Sequence, residues 1–237
     1  MESEDEGLFD DPEERRAYEA FCEAQEAAGK PFELGEPAIV CRWRMAHRRV
    51  PLLNRHMRAL SARRVQGAPL GTGLLSWAKQ HVEWSVAEGA YAAPDGVLML
   101  VVDVEGNAAM TVGEYEPLAD RTRSALAARA AAAQCEAAST GVAPELLCAA
   151  ADGRLLLGAP ADQCLCGTAT LVEQLAKTCG FAVARTAELP AAEFPTAGAL
   201  FLVSDEHGVV PASDAAGTAA DAAMVEFFAS GYAKLFS

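Results

Sequence analysis

Residues 164–211, CLCGTATLVEQLAKTCGFAVARTAELPAAEFPTAGALFLVSDEHGVVP, constrain the fold more than any other part of the chain. Gly167 followed by Thr168 and Thr170 reads as a helix start, because hydroxyls cap free amides at a helix N-terminus and glycine lets backbone come close to a ligand. Leu171, Val172 and Leu175 fall on one apolar face, which predicts a helix over 171–177 with Gly180 as its C-terminal stop. A short strand over 181–184 follows, then a connector and a second apolar strand over 200–203. That strand opens into a polar turn at Ser204 and Asp205 before Val209, Val210 and Pro211. Taken alone, a Gly-Thr helix start is more often a cap than a ligand site, so the local reading is a helix-then-strand unit with an anion-friendly nose.

Charge narrows the partners. A formal net charge of -14 over 237 residues argues against nucleic acid and against anionic membrane surfaces, both of which call for Lys and Arg. The longest clean apolar run, 97–102, is far shorter than the roughly 20 residues that span a bilayer. The acidic N-terminus, MESEDEGLFDDPEER, shows neither a secretory h-region nor an Arg-rich transit pattern, so a cytoplasmic protein is expected. The seven cysteines are scattered, with Cys164 and Cys166 the only close pair, and the four histidines are not at zinc-ligand spacing. Reduced, mostly buried thiols and no metal are expected.

Along the chain, residues 1–12 read as an acidic tail, and Pro12 opens a helix on which Ala17, Tyr18, Phe21 and Cys22 recur at helical spacing. A strand over 38–45 leads through His47, Arg48 and Arg49 to a helix that Asn54 is placed to cap, with His56, Met57 and Leu60 on one face. Arg55, Arg58, Arg63 and Arg64 read as an exposed basic face of that helix. A further helix over 74–88 carries Trp77 and Trp84 on nearly one side. Strands over 97–103 and 108–112 flank a hairpin turn at Glu105, Gly106 and Asn107. The Ala-rich segment 124–138 is a helix on propensity. Met224, Phe227, Phe228 and Tyr232 stripe a last helix.

The order of these features resembles the class IV pyridoxal-phosphate enzymes, the branched-chain and D-amino-acid aminotransferases and aminodeoxychorismate lyases. The segment LCGTAT, 165–170, is similar to the family's LPGITR turn, and FLVSDEHGVVP, 201–211, to its second phosphate-binding strand and turn. HMRALSA, 56–62, resembles the family's helix that carries a phosphate-binding arginine. The resemblance implies an α/β (α+β), two-domain D-amino-acid-aminotransferase-like fold. Residues 1–35 form an added tail and helix, 36–118 a small N-terminal α/β domain, and 119–237 a C-terminal domain with a mixed β-sheet or barrel, partly truncated because 158–165 is too short for the family's strand and hairpin. It further implies pyridoxal phosphate as cofactor, an amino-acid-like small molecule as ligand, a homodimer, and Arg58, Gly167, Thr168 and Ser204 as a phosphate site.

Four positions depart from the family pattern. Ala59 stands at the phosphate-binding arginine, with Arg58 about 100 degrees away round the helix. Arg121 stands where the Schiff-base lysine belongs, and a guanidinium cannot form the imine. None of the four lysines, Lys30, Lys79, Lys177 and Lys234, falls in that segment. Leu157 replaces the glutamate that holds the pyridinium nitrogen. Asp205 replaces a phosphate-binding hydroxyl, where it would repel a phosphate. Three readings follow: an aminotransferase-like protein without standard transaminase chemistry, an active transaminase or lyase with a relocated lysine, or a non-enzymatic interaction protein.

Overall fold

The computed structural model describes residues 12–27, 34–86, 89, 91–186 and 198–237. The acidic tail lies outside them, as does Lys30.

The first unit is a three-stranded antiparallel sheet of β1 (Pro37–Met45), β4 (Gly96–Asp103) and β5 (Ala108–Gly113), in the order β1-β4-β5. The β4–β5 hairpin is organised by the buried Asp103, whose carboxylate accepts the backbone N–H groups of Glu105 and Asn107 and the Asn107 side-chain amide. Alternation along β1 sends Ile39, Cys41, Trp43 and Met45 inward, where they meet Leu98 and Leu100 of β4. Three helices belong to this unit: α1 (Pro12–Ala27), α2 (Leu53–Ser61) and α3 (Thr72–His81). The small ladder β2 (Arg64–Val65) and β3 (Ala68–Pro69) lies between α2 and α3.

Gly73 allows α1 to press on α3, since a Cβ there would stand 3.2 Å from the Cβ of Phe21. Phe21 then meets Trp77 with ring centroids 6.0 Å apart. The expected helix over 74–88 ends earlier, because a π-turn at Val82–Val86 follows α3 and alters the phase between Trp77 and Trp84. Asn54 does not cap α2. Leu52, in the left-handed region with φ 64°, takes the N-cap position without a side-chain hydrogen bond, and Asn54 lies inside the first turn.

The second unit is a five-stranded mixed sheet in the order β10-β8-β7-β11-β12. Its strands are β7 (Glu145–Ala151), β8 (Arg154–Leu157), β10 (Ala182–Arg185), β11 (Ala199–Ser204) and β12 (Gly208–Ala216), with β10 parallel to β8 and the other neighbours antiparallel. A two-stranded parallel ladder, β6 (Val142–Ala143) and β9 (Cys164–Leu165), stands apart. Both faces of the sheet are covered, which is why β7 and β11 read as unbroken apolar runs rather than as alternation. Leu147, Ala149, Leu200 and Leu202 face α4 (Arg123–Thr140), while Leu146, Cys148, Phe201 and Val203 face α5 (Gly167–Thr178) and α6 (Ala219–Ala233). Thr122 caps α4, and a Thr218–Asp221 capping box opens α6.

Only residues 158–163 separate β8 from β9. The result is a mixed sheet, not a barrel. Among the described residues, no helix is long and apolar enough to cross a membrane.

Candidate functional site

The site is built where β1 and α2 of the first unit meet α4, α5 and the β11–β12 turn of the second. Helix α5 opens at Gly167, four residues earlier than its apolar face predicts. No hydroxyl caps it locally: the Thr170 side chain donates instead to the carbonyl of Gly167 at 2.6 Å. The cap comes from far along the chain. Asp205, at the end of β11, accepts the Thr168 N–H at 2.7 Å through Oδ1 and the Gly167 N–H at 3.3 Å through Oδ2. His56 of α2 reaches the same carboxylate, with Nδ1 3.2 Å from Oδ2. Trp43 stacks on the imidazole at a centroid distance of 5.3 Å. The Asp205 carbonyl accepts the backbone N–H of Arg44 at 3.1 Å, so one residue joins the two units through both its side chain and its main chain.

These groups are out of water: His56 is 2% exposed, Asp205 7% and Thr168 0%. Burial opposes a charge on Asp205, but His56 and the Thr168 N–H outweigh it and hold the carboxyl below the ordinary carboxylate value. A carboxyl whose folded pKa is depressed adds stability that is complete above its unfolded value, near 3.8, and is lost as pH falls through the folded value. The wild type should therefore lose stability faster than Asp205→Asn on the acid side, and the gap between them should shrink below about pH 4. Urea unfolding across that range checks this. A gap that stays constant into the acid limb would show that Asp205 gains nothing from its partners.

Beside Asp205 lies a cavity of about 370 Å³. Its polar wall is made of matched pairs. Arg129 of α4 holds Glu145 in a fork, Nε to Oε2 at 2.9 Å and Nη2 to Oε1 at 2.7 Å. Arg63, only 4% exposed, donates to Glu136 of α4 at 2.7 Å. Arg42 lies 3.7 Å from Glu206. Ala59, Ala133 and Val142 contribute apolar wall. Cys41 also lines the cavity, but burial pushes its thiol up to about 11, so it is a protonated packing group rather than a nucleophile. Among the described residues, no three His, Cys, Asp or Glu side chains gather as a metal site.

The expected phosphate residues are only partly brought together. Gly167 and Thr168 form the α5 N-terminus against Asp205, and Ser204 is adjacent. The Ser204 hydroxyl accepts the N–H groups of Glu206 and His207 and so shapes the turn. Arg58 is exposed and is not among the cavity residues, whereas Ala59 is. The expected basic face of α2 breaks up: Arg63 is buried on Glu136, and Arg55 leaves the helix to donate to Thr170 and Gln174 of α5. Arg121 is exposed, with its carbonyl accepting from Ser213 of β12. Leu157 is fully buried in the core. The residues that local motifs could not reveal are Glu136, Arg129, Glu145 and the role of His56, all defined by partners distant in the chain.

These residues do not fit a lysine-bound phosphate cofactor. The two helix amides that would receive the phosphate already carry a carboxylate. A unit charge added 4 Å from it would be repelled by about 4 kcal/mol at an effective dielectric of 20. Among the described residues no lysine lines the cavity, and Lys79, Lys177 and Lys234 are exposed on helices or at the C-terminus.

No protein-family model matches the sequence. None of the curated proteins matches it either. Solved structures do match. A hypothetical aminotransferase from Mycobacterium tuberculosis in its pyridoxal-phosphate-bound form superposes with a TM-score of 0.58 at 15% identity, over 87% of this chain and 95% of that one. Its form with alpha-ketoglutarate and pyridoxamine phosphate gives 0.57 at 16% identity, over 87% and 95%. The fold IV transaminase of Curtobacterium pusillum gives 0.56 at 16% identity, over 88% and 89%. This chain thus has the fold of the class IV aminotransferases.

Proposed function

We propose that this chain is a class IV aminotransferase-like protein that does not carry out lysine-dependent transamination, and that its cavity takes an amino-acid-like small molecule. The reading rests on the absence of lysine from the cavity wall among the described residues, together with Arg121 in the segment leading to α4. The cavity is of a size that suits a small metabolite. The Mycobacterium tuberculosis neighbour is described with alpha-ketoglutarate bound, a molecule of that class. We assign residues 36–118 to a small domain and 119–237 to a large one, with the cavity between them.

Incubation with pyridoxal phosphate, borohydride reduction and peptide mapping test the reading. The expected result is scattered, substoichiometric labelling of the exposed Lys79, Lys177 and Lys234. One lysine labelled one-to-one, Lys30 included, would overturn it and establish a relocated catalytic amine.

A further inference from the structure

We propose that Asp205 is a built-in anion: within the chain, its carboxylate takes the position of a phosphate group at the α5 N-terminus and closes that site to phosphate esters. Four observations carry this. Both carboxylate oxygens are used, one on each of the first two amides of a 12-residue helix, which is the way an external oxyanion is held at a helix N-terminus. His56 brings Nδ1 to 3.2 Å from Oδ2, so the imidazole closes the carboxylate's other side. The group is largely buried at the cavity's edge, and the Asp205 main chain is pinned by Arg44, so the carboxylate is held in place by backbone as well as by side chain.

The fourth observation is an orphan. The Thr168 hydroxyl is fully buried and faces Asp205 and Tyr232, bearing on the ionisation of both, yet it makes no hydrogen bond of good geometry. A buried hydroxyl without a partner is costly and calls for a reason. A planar carboxylate has two oxygens where a phosphate has three. Each carboxylate oxygen still has lone pairs to offer, but the hydroxyl is not aligned with either, and the third oxygen of a tetrahedral anion would give it a further acceptor. The unsatisfied oxygen is therefore the mark of a cradle shaped for a larger anion than the one it holds.

Inorganic phosphate is the probe, titrated into the full chain by calorimetry and thermal unfolding against chloride at equal ionic strength. The wild type is expected to give no saturable heat and no shift in Tm. Asp205→Ser, which empties the position while leaving both amides, His56 and the Thr168 hydroxyl in place, is expected to gain saturable binding, with Tm rising by roughly 5 °C near saturation. Asp205→Asn keeps an acceptor oxygen in the cradle and is expected to stay silent. Saturable binding by the wild type, or a folded serine variant that gains none, overturns the proposal. If the serine variant does not fold in chloride, its folding in phosphate supports the proposal and its failure there overturns it. The outcome is separable from the lysine question, because phosphate carries no aldehyde: a trapped lysine with a silent wild-type titration sinks the functional reading and leaves the built-in anion standing.

Discussion

Replacing Asp205 with alanine is expected to destabilise the chain by about 3–5 kcal/mol, because each buried donor left without its acceptor costs about 1–3 kcal/mol. The loss has three parts. The buried His56 imidazole loses the carboxylate 3.2 Å from its Nδ1, and the N–H groups of Gly167 and Thr168 lose their acceptor. The contact between the two units at this point then rests on the Arg44 main-chain bond and the Arg55 bonds to α5. Asp205→Asn separates charge from hydrogen bonding: it retains an acceptor for the amides, and a smaller loss of about 1–2 kcal/mol is expected. Urea unfolding at neutral pH measures both. An alanine variant within about 0.5 kcal/mol of wild type, the range of ordinary surface changes, would show that the cluster contributes nothing to folding.

Much of the fold was legible because its signals are local. The alanine-rich α4, the apolar β4 and β11 and the α5 face each follow from period and composition, and their order carries the class IV likeness. What was not legible depends on side-chain direction and on partners far along the chain. Asp205 could be read as an acid in a turn that binds phosphate in the family, and hence as a group that would repel phosphate. That it turns inward and takes the anion's place follows only once β11 is set against the α5 N-terminus, 37 and 38 residues away in sequence. Arg63 illustrates the same limit. Its arginine neighbours in α2 give the pattern of a solvated basic face, yet it is buried because the end of α2 lies against α4, where Glu136 is 73 residues distant. The left-handed Leu52 and the π-turn at Val82–Val86 are backbone solutions with no residue signature, so Asn54 and a continuous helix were the natural expectations. One signal was available: a Gly-Thr helix start with no local acidic cap leaves amides that an acid from elsewhere can meet, and the acid in the opposing polar turn's first two positions is Asp205.

Gly167→Ala carries the second large effect. The backbone of Gly167 is in the ordinary helical range, so the cost of a methyl group is set by contact rather than by φ. A Cβ there would run into His56, overlapping Nδ1 and lying 3.0 Å from Cε1 and 3.1 Å from the backbone nitrogen. His56 has no room to yield, since Trp43 stacks on its ring and Asp205 holds its nitrogen. Overpacking of this kind costs about 1–3 kcal/mol, and the upper end is expected because displacing the imidazole also disturbs its contact with Asp205. In a His56→Ala background the imidazole atoms are gone and only the main-chain approach remains. Gly167→Ala should then cost less than 1 kcal/mol, offset in part by alanine's better helix propensity, which gives a coupling of about 2 kcal/mol in a double-mutant cycle read by urea unfolding. Additive losses would mean that α2 and α5 can slide apart at no cost. Strong coupling would instead establish that the glycine is required by the histidine, and that the nose of α5, His56 and Asp205 are packed as one unit.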